Sequence, residues 1–581
     1  MAAPTREVIT LQCGHYSNFV GTHIWNIQES SFCYEPIPGS SPSKQIDHDV
    51  LYREGLTIAG TPTYTPRLIA WDLKGSLNTL RAEGVLYNDV PVQEEDIKWE
   101  GDVTLHKGTP PHKNEFLADL DAQDELLYTQ ASSKEEDQSS QDTDTMETEE
   151  NPADAAEKKE QKPKKMYYLD ESVVVWSDYL YGHMHPKTVS VIREFSHDSD
   201  VEPFELYTQG KTLMQKPSME DDLEDRLHFF AEECDHLQGF QVLVDFYNGF
   251  SGVGCSLLEY LEDEYSGKGI LTVGVAPTTF SRETPAAESH RVINSALAFQ
   301  KLSSHSSLFL PISASRTLWR KPGPPVGFPH ISYNSSLNYH TSAILASSLE
   351  TMMLPYRTVE NPLTVNILSE ALSTMGRKIG SLQSSLPFPF QLGNTLASEF
   401  NSLDGNVPWR SLTPYTHNPS AVPFAQSVVL RGIPKDKLVV PGKHPTNNLE
   451  LCKTGSEMLS LYLSGQYPRS LNSALCVYQA SKTVAPYPHI FNENVRHEGY
   501  LSNETRSQTL GVSSVPMMTS LQSSPTTGHL LAELVKQSQR LDIRKFHGYV
   551  EGGLEPDEFK ETMDNLQAMS ECYTTDMMEA E

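Results

Sequence analysis

Residues 234–264 read CDHLQGFQVLVDFYNGFSGVGCSLLEYLEDE, and they give the strongest indication of the fold. A mostly apolar run, Phe240–Phe246, is followed by a glycine-rich turn, Asn248–Gly254, and then by a helical segment, Ser256–Glu264. This order predicts a buried strand, a turn and a helix. Glycines between a strand and a helix let backbone N–H groups approach phosphate oxygens, and the helix dipole adds to the attraction. Tight packing of the helix on the strand also selects glycine, so phosphate binding and packing are both open interpretations of this turn.

The turn NGFSGVG excludes two common nucleotide motifs. It matches neither the GxxxxGK[ST] phosphate-binding loop nor the GxGxxG dinucleotide fingerprint. Ser251 lies within the turn, but the sequence offers no His–Asp pair that can be placed beside it. Nucleophilic catalysis therefore has no support, and we assign no catalytic residue.

Strands that alternate with helices predict an α/β fold. Further strands are predicted at Arg6–Leu11, Arg67–Trp71, Ser172–Trp176 and Ile270–Val275. Because their apolar residues fall on both strand faces, we expect a parallel sheet with helices on either side. The long segment Leu337–Met353 carries few charges and many Ala and Ser residues, which predicts a helix buried between two domains.

The composition excludes several classes of protein. The 581 residues include 45 Lys+Arg and 76 Asp+Glu, a net charge of −31 that disfavours generic binding to nucleic acids or anionic lipids. The seven cysteines are scattered and include no CxxC pair, so neither a disulfide framework nor a structural zinc site is expected. The first residues lack a signal-peptide pattern, and no apolar run approaches the roughly 20 residues of a membrane helix. We expect a soluble intracellular protein.

An acidic insert interrupts the predicted sheet at residues 119–165. Asp119–Glu160 contains 15 acidic residues and three lysines, with many Ser, Thr and Gln residues between them. Such a segment buries too little apolar surface to offset its ordering entropy, which predicts disorder.

Deleting residues 119–165 is expected to leave the melting temperature and the solubility nearly unchanged, because the insert adds nothing to an apolar core. Thermal unfolding of the intact and the shortened chain measures this directly. A large fall in melting temperature would show that the insert is part of the folded structure.

Two further groups of residues suggest binding chemistry. Asp72 follows a predicted central strand, where parallel-sheet proteins place ligand-binding carboxylates, although an N-cap or turn aspartate is the favoured interpretation. His183 and His185 are two residues apart with no third ligand nearby in sequence, which favours ordinary loop histidines over a metal site. We therefore predict no metal ligands.

Four segments taken together resemble the tubulin superfamily. They are REVITLQCGHYSNFVGTHIW (Arg6–Trp25), YTPRLIAWDL (Tyr64–Leu73), CDHLQGFQ (Cys234–Gln241) and FHGYVEGGLEPDEFKETMDNLQAM (Phe546–Met569). The glycine-rich turn stands where tubulins carry GGGTGSG. With this diverged turn and with YGHMHPKTV from Tyr181, the chain most resembles the Misato family of tubulin-related proteins.

This resemblance implies a tubulin-like arrangement: a Rossmann-type parallel-sheet domain, a central helix, a second α/β domain and C-terminal helices. The corresponding ranges are 1–118 with 166–336 for the nucleotide-type domain, 119–165 for the acidic insert, 337–355 for the central helix, 356–512 for the intermediate α/β domain, 513–569 for the C-terminal helices and 570–581 for an acidic tail.

The resemblance also implies a nucleotide pocket, but the sequence departs from it. The pocket positions are Gly14, His15, Asn18, Asp72, Gly249, Ser251, Gly252, Gly254 and Asn338. Bulky Tyr16, Phe19 and Phe250 stand where a nucleotide needs space or polar contacts. Lys74 replaces an acidic residue that helps hold magnesium in tubulins, and Arg291 and Ile312 replace residues that contact the ribose and the base. Each lost polar contact costs about 1–3 kcal/mol when its partner stays buried, so we expect no bound cofactor. GTP could still bind if Lys74 and Arg291 paired directly with its phosphate groups.

The family resemblance implies a role in mitochondrial distribution, morphology and network fusion. It implies a cytoplasmic protein held peripherally at the mitochondrial outer membrane by protein partners, with no nucleic acid involved. A non-enzymatic adaptor is the leading hypothesis. The alternatives are a diverged GTP-binding GTPase and a tubulin-biogenesis factor whose partners are tubulin and the cytosolic chaperonin.

Overall fold

The computed structural model describes residues 6–32, 45–56, 62–80, 112–123, 165–440, 444–445, 447–507 and 510–574. Most of the predicted acidic insert (124–164) and most of the predicted tail (575–581) lie outside the described residues. In the described part of the chain, two sheets flank a buried central helix.

The strands are, in chain order, β1 (Val8–Cys13), β2 (Tyr52–Leu56), β3 (Pro62–Pro66), β4 (Leu68–Lys74), β5 (Val189–Ser196), β6 (Gly239–Asp245), β7 (Gly269–Val275), β8 (Leu308–Ile312), β9 (Ser381–Ser385), β10 (Arg410–Ser411), β11 (Ala425–Arg431), β12 (Leu471–Val477), β13 (Ser481–Lys482), β14 (Ser514–Val515) and β15 (Met517–Ser523). The helices are α1 (His15–Glu29), α2 (115–123), α3 (Tyr207–Met214), α4 (Pro217–Glu232), α5 (Phe250–Glu264), α6 (Pro285–His305), α7 (Asn338–Met352), α8 (Val365–Leu372), α9 (Leu396–Ser402), α10 (Gly455–Gln466), α11 (Thr526–Ser538), α12 (His547–Glu551) and α13 (Pro556–Glu571).

The first sheet confirms the predicted fold class. Its six strands are all parallel and lie in the order β5-β4-β1-β6-β7-β8. Numbered along the chain, this is the 3-2-1-4-5-6 order of a Rossmann-type sheet, whose strand order reverses between β1 and β6. The sheet is buried on both faces: Val8 joins one apolar core, and the next residue, Ile9, joins the other.

One predicted strand, Ser172–Trp176, is wrong. The chain there forms a loop and then a 3₁₀ turn, Trp176–Tyr179. The Asp178 carboxylate accepts hydrogen bonds from the backbone N–H groups of Val174 (2.8 Å) and Val175 (2.9 Å), which satisfies these donors locally. A local side-chain acceptor of this kind competes with strand pairing, and the edge strand forms later, at β5.

The central helix α7 is buried on all sides, as its composition predicts. The hydroxyl groups of its Ser and Thr residues form hydrogen bonds within the helix itself. Ser342, Ser347, Ser348 and Thr351 each donate a hydrogen bond to the carbonyl four residues earlier. Polar residues are therefore compatible with a buried helix that packs against α1 and against β11 and β15.

The second sheet has the order β10-β9-β15-β11-β12, in which only β11 and β12 are parallel. β15 lies inside this sheet, between β9 and β11. The segment assigned from sequence to the C-terminal helices, 513–569, therefore begins with sheet residues, and its helices start at Thr526. The seven side chains of β15 are all buried, which requires a central strand.

The two ends of the predicted insert approach each other in space. Lys165 Nζ lies 2.6 Å from the Asp119 carboxylate, which also accepts a hydrogen bond from the Tyr167 hydroxyl at 2.9 Å. Buried Phe116 and Leu117 lie just before residue 119. Residues 119–123 are the end of α2, where Lys165 and Tyr167 hold the Asp119 carboxylate, so the prediction of disorder is wrong for this first part of the insert. The deletion of 119–165 shortens α2, but it joins neighbouring points of the chain and leaves buried Phe116 and Leu117 in place.

Candidate functional site

The carboxyl ends of β1 and β6 meet where the strand order of the first sheet reverses, which is where α/β sheets place their ligands. Gly14 follows β1 with φ at 123°, and Asp245 ends β6. A Cβ atom on Gly14 would lie 2.7 Å from the Cβ of Asp245, so only glycine fits there.

The Asp245 carboxylate occupies the N-terminus of α1. It accepts hydrogen bonds from the backbone N–H groups of Tyr16 (3.0 Å) and Ser17 (2.8 Å), and from the Ser17 hydroxyl (2.7 Å). Free N–H groups at a helix N-terminus are a ready anion-binding site. Here a buried side chain of the same protein already fills that position.

Burial raises the pKa of Asp245 to about 6, although the donors on Ser17 and Tyr16 act to lower it. The group is therefore mostly ionised at neutral pH, where its charge is favourable at the positive end of the helix. Asp245 is not among the residues that the sequence pattern indicated for the site. Its only signal is a single acidic residue inside the apolar run Phe240–Phe246.

Tyr16 lies beside this carboxylate, and Phe19 packs on the His15 and Tyr179 rings in the same apolar core. Both are buried, and the Tyr16 hydroxyl donates a hydrogen bond to Thr341 Oγ1 on α7 at 2.9 Å. Phe250 does not join them, because it packs edge-on against Phe204 in the core on the other face of the sheet. The expectation that three aromatic residues block one crevice is therefore wrong for Phe250.

The glycines of the predicted phosphate turn face protein atoms. A Cβ atom on Gly252 would lie 2.7 Å from the Lys211 amide nitrogen of α3, and one on Gly254 would lie 2.5 Å from Val244 Cγ2. A Cβ atom on Gly249 would lie 2.7 Å from the Phe204 ring. Ser251 is buried and donates its hydroxyl hydrogen bond to the Asn248 carbonyl at 2.5 Å. Of the two interpretations of this turn, close packing accounts for these glycines.

Four of the predicted residues do converge. Gly14 and His15 follow β1, and the His15 Nδ1 lies 2.9 Å from Oδ2 of Asp72 near the end of β4. Asn18 Nδ2 donates to the same carboxylate oxygen at 3.3 Å and to the Trp71 carbonyl at 3.1 Å. These four residues therefore lie together in the structure, and their role in nucleotide binding stays a prediction.

The His15–Asp72 pair is electrostatically coupled. Burial lowers the pKa of His15, but the Asp72 carboxylate outweighs burial and the pKa is raised overall. Burial likewise raises the pKa of Asp72, but His15 and the backbone N–H of Leu73 outweigh it and lower the pKa. The pair is thus held in its ionised form more strongly than two isolated groups would be.

The remaining predicted positions do not complete a nucleotide pocket. Asn338 is half-buried at the start of α7, where its carbonyl accepts a hydrogen bond from the Ser342 hydroxyl. Lys74 is exposed. Arg291 is buried, and its guanidinium donates to the carbonyls of Arg282 (2.9 Å) and Arg320 (2.8 Å). Because Arg291 is engaged in this way, it is not positioned as a free phosphate partner.

A second residue that the sequence did not indicate is His197, in the turn after β5. Its ring lies 3.9 Å from the His15 ring, centroid to centroid. His15, Asp72 and His197 each offer one ligand atom within 4.8 Å of the others, the one group of this kind among the described residues. The prediction of no metal ligands overlooked this group because strand pairing, not sequence spacing, brings it together. His185, by contrast, stacks on Phe229.

Within the described parts of the chain, no helix combines the length and the apolar character that crossing a bilayer needs.

Comparisons with known proteins agree with the fold. Residues 6–122 match the family described as Misato Segment II tubulin-like domain, and residues 167–358 match the Tubulin domain. The chain is 40% identical to Protein misato homolog 1 of Danio rerio over 99% of its own length and 98% of that protein. It is 36% identical to Protein misato homolog 1 of Homo sapiens over 99% of both chains. It is 31% identical to Protein misato of Drosophila melanogaster over 98% of both.

Proposed function

The chain belongs to the Misato family of tubulin-like proteins, and on that premise we propose that it is a non-enzymatic tubulin-fold adaptor that regulates mitochondrial distribution, morphology and network fusion. The observation that carries the non-enzymatic part is the Asp245 carboxylate on the N-terminal N–H groups of α1. An adaptor of this kind keeps the fold as a rigid scaffold and does not depend on a nucleotide.

Charge makes Asp245 incompatible with a bound phosphate. A phosphate at the N-terminus of α1 would have to displace the carboxylate or lie beside it. Two unit charges of like sign about 4 Å apart repel by about 4 kcal/mol near a protein surface, which corresponds to roughly a thousandfold in affinity. The Tyr16 hydroxyl, fixed on Thr341, further ties the start of α1 to the central helix.

We place the adaptor in the cytoplasm, at the mitochondrial outer membrane and held there by protein partners. The net charge of −31 disfavours direct attraction to anionic lipid headgroups, which supports recruitment by a protein. Tubulin and the cytosolic chaperonin are the partners expected under the alternative role in tubulin biogenesis.

Purified wild-type protein is expected to show no saturable GTP or GDP binding by calorimetry at micromolar concentrations with magnesium present. Asp245→Ala exposes the N–H groups of Tyr16 and Ser17, so phosphate or sulfate should raise the melting temperature of this variant and not that of the wild type. Asp263→Ala, which removes an exposed aspartate of α5, is the matched control.

Two outcomes would contradict the proposal. Micromolar GTP binding with turnover by the wild type would establish the diverged GTPase. Equal stabilisation of wild type and Asp245→Ala by phosphate would show that the carboxylate does not occupy the anion position. Asp245→Asn keeps a hydrogen-bond acceptor, and it serves as the folded reference if the alanine variant is unstable.

The cellular role is tested by depletion and rescue. Loss of the protein should collapse or redistribute the mitochondrial network, and the wild-type chain should restore it. If depletion instead lowers the amount of assembled tubulin, and the protein co-purifies with tubulin and chaperonin under gentle lysis, the biogenesis role is correct and the mitochondrial adaptor is not.

A further inference from the structure

His15, Asp72 and His197 lie side by side because their strands are neighbours. β5, β4 and β1 are adjacent in the first sheet, and each residue lies at or just beyond the carboxyl end of one of them. The three ligand atoms lie within 4.8 Å of one another. We propose that these side chains form a binding site for a divalent transition metal ion, with Zn²⁺ the best fit. The site uses protein ligands alone and is independent of the proposed adaptor role.

The donor set selects the class of metal. Two imidazole nitrogens and one carboxylate oxygen suit Zn²⁺ and related first-row ions, whereas Mg²⁺ and Ca²⁺ prefer oxygen ligands throughout. The His15 and His197 side chains retain 15% and 22% of their exposure, so an ion can enter and a water molecule can complete the coordination. Three protein ligands and one open position describe an accessible zinc site.

The carboxylate is already oriented by neighbouring donors. The Asp72 Oδ2 atom accepts hydrogen bonds from Trp176 Nε1 at 2.8 Å and from Asn18 Nδ2 at 3.3 Å, and Oδ1 accepts from the Leu73 N–H at 2.8 Å. Outer hydrogen bonds of this kind orient metal ligands and tune their affinity. Asp72 is fully buried, so its position is fixed by the core as well.

The third ligand is held by backbone pairing and lies in a negative environment. The His197 N–H donates to the Lys74 carbonyl at 2.8 Å, which fixes the turn after β5 against the end of β4. The Asp198 carboxylate lies 3.4 Å from His197 Nε2, and Asp245, at the end of β6, interacts electrostatically with His15. These carboxylates favour a cation over an anion at this edge of the sheet.

Metal binding requires only local movement. Ligand atoms around a tetrahedral Zn²⁺ lie about 3.3 Å apart, and the three atoms here lie within 4.8 Å of one another, so no separation has to close by more than roughly 1.5 Å. The ion would replace the proton in the His15–Asp72 hydrogen bond and would move apart the two imidazole rings, which are tilted by 35° to each other. The partly exposed histidine rings can make this adjustment, while the buried carboxylate stays in place. Because protons are displaced, affinity should rise with pH.

The test uses the full-length, tag-free protein after treatment with chelator, titrated with Zn²⁺ by calorimetry and with Co²⁺ by visible absorption. One Zn²⁺ should bind per chain and raise the melting temperature, and Mg²⁺ should not compete. The Co²⁺ spectrum should lack the thiolate charge-transfer band that cysteine ligands give. His197→Ala and Asp72→Asn should each weaken Zn²⁺ binding by at least about 100-fold.

Matched variants separate this site from other histidines and from loss of folding. His228→Ala removes an exposed histidine of α4 and should leave Zn²⁺ affinity unchanged. Trp176→Phe keeps the buried ring but removes the donor to Asp72, and should weaken binding by about tenfold. The melting temperature of His197→Ala in chelator should match the wild type. Absence of stoichiometric Zn²⁺ binding, or an affinity unchanged in both His197→Ala and Asp72→Asn, would overturn the site.

Discussion

Replacing Gly252 by alanine is expected to destabilise the protein by about 3 kcal/mol or more, because helices α3 and α5 are in direct backbone contact at this point. A Cβ atom on Gly252 would overlap the Tyr207 carbonyl oxygen and lie 2.7 Å from the Lys211 nitrogen. Gly210 on α3 makes the reciprocal contact, since its Cβ would lie 2.8 Å from the Val253 nitrogen. Backbone atoms cannot turn aside as a side chain can, so the helices would have to separate.

Urea unfolding of Gly252→Ala measures this loss, and Gly465→Ala is its control. Gly465 lies in helix α10, and among the described residues no atom beyond its chain neighbours and its own helix backbone comes within 4 Å of its Cβ position. Alanine there should leave stability unchanged or raise it by up to about 1 kcal/mol through better helix propensity. If the two variants unfold at the same urea concentration, the contact between α3 and α5 is looser than the structure shows.

This contact changes how nucleotide binding should be tested. A bulky substitution at Gly252 would block a phosphate turn, but it would also separate α3 from α5, so lost binding would report misfolding. Asp245 is the better position, because its side chain contacts the N–H groups at the start of α1 directly. Substitution of Gly252 therefore tests the packing of α3 against α5, and substitution of Asp245 tests ligand binding at the start of α1.

The sequence could predict those site residues that lie at the end of a strand or in the turn directly after it. His15 and Asn18 begin the helix after β1, and Asp72 lies near the end of β4, so their contact follows from placing two parallel strands side by side. The overall strand order follows from the same logic, supported by the family resemblance.

Asp245 and His197 could not be predicted as site residues, because their contacts are not indicated by any local sequence pattern. The Asp245 carboxylate binds the N–H of Ser17, which is 228 residues earlier in the chain. His197 reaches Asp72 only through the pairing of β4 with β5. The sequence pattern predicted a strand at Ser172–Trp176 and none at β5, so it gave no reason to place His197 beside Asp72.

The second large loss of stability is expected at a cluster of buried charges. The cluster lies where the central helix α7 meets the second sheet. Glu350 on α7 is 2% exposed, and it accepts hydrogen bonds from Arg357 Nη1 at 3.1 Å and from Arg431 Nη1 on β11. Both arginines are fully buried. One carboxylate therefore serves two buried guanidinium groups, and burial lowers the pKa of Arg431.

Replacing Glu350 by glutamine is expected to lower the free energy of unfolding by about 3–5 kcal/mol, because two buried arginines lose the counter-charge that they share. Urea unfolding measures the loss, and Glu360→Gln, at an exposed position after the same helix, should change stability by less than about 0.5 kcal/mol. Adding Arg431→Met to Glu350→Gln removes one unpaired charge, so the double variant should lose less than the sum of the two single variants. If Glu350→Gln costs no more than Glu360→Gln, or if the double variant is strictly additive, this cluster does not hold the central helix to the second sheet.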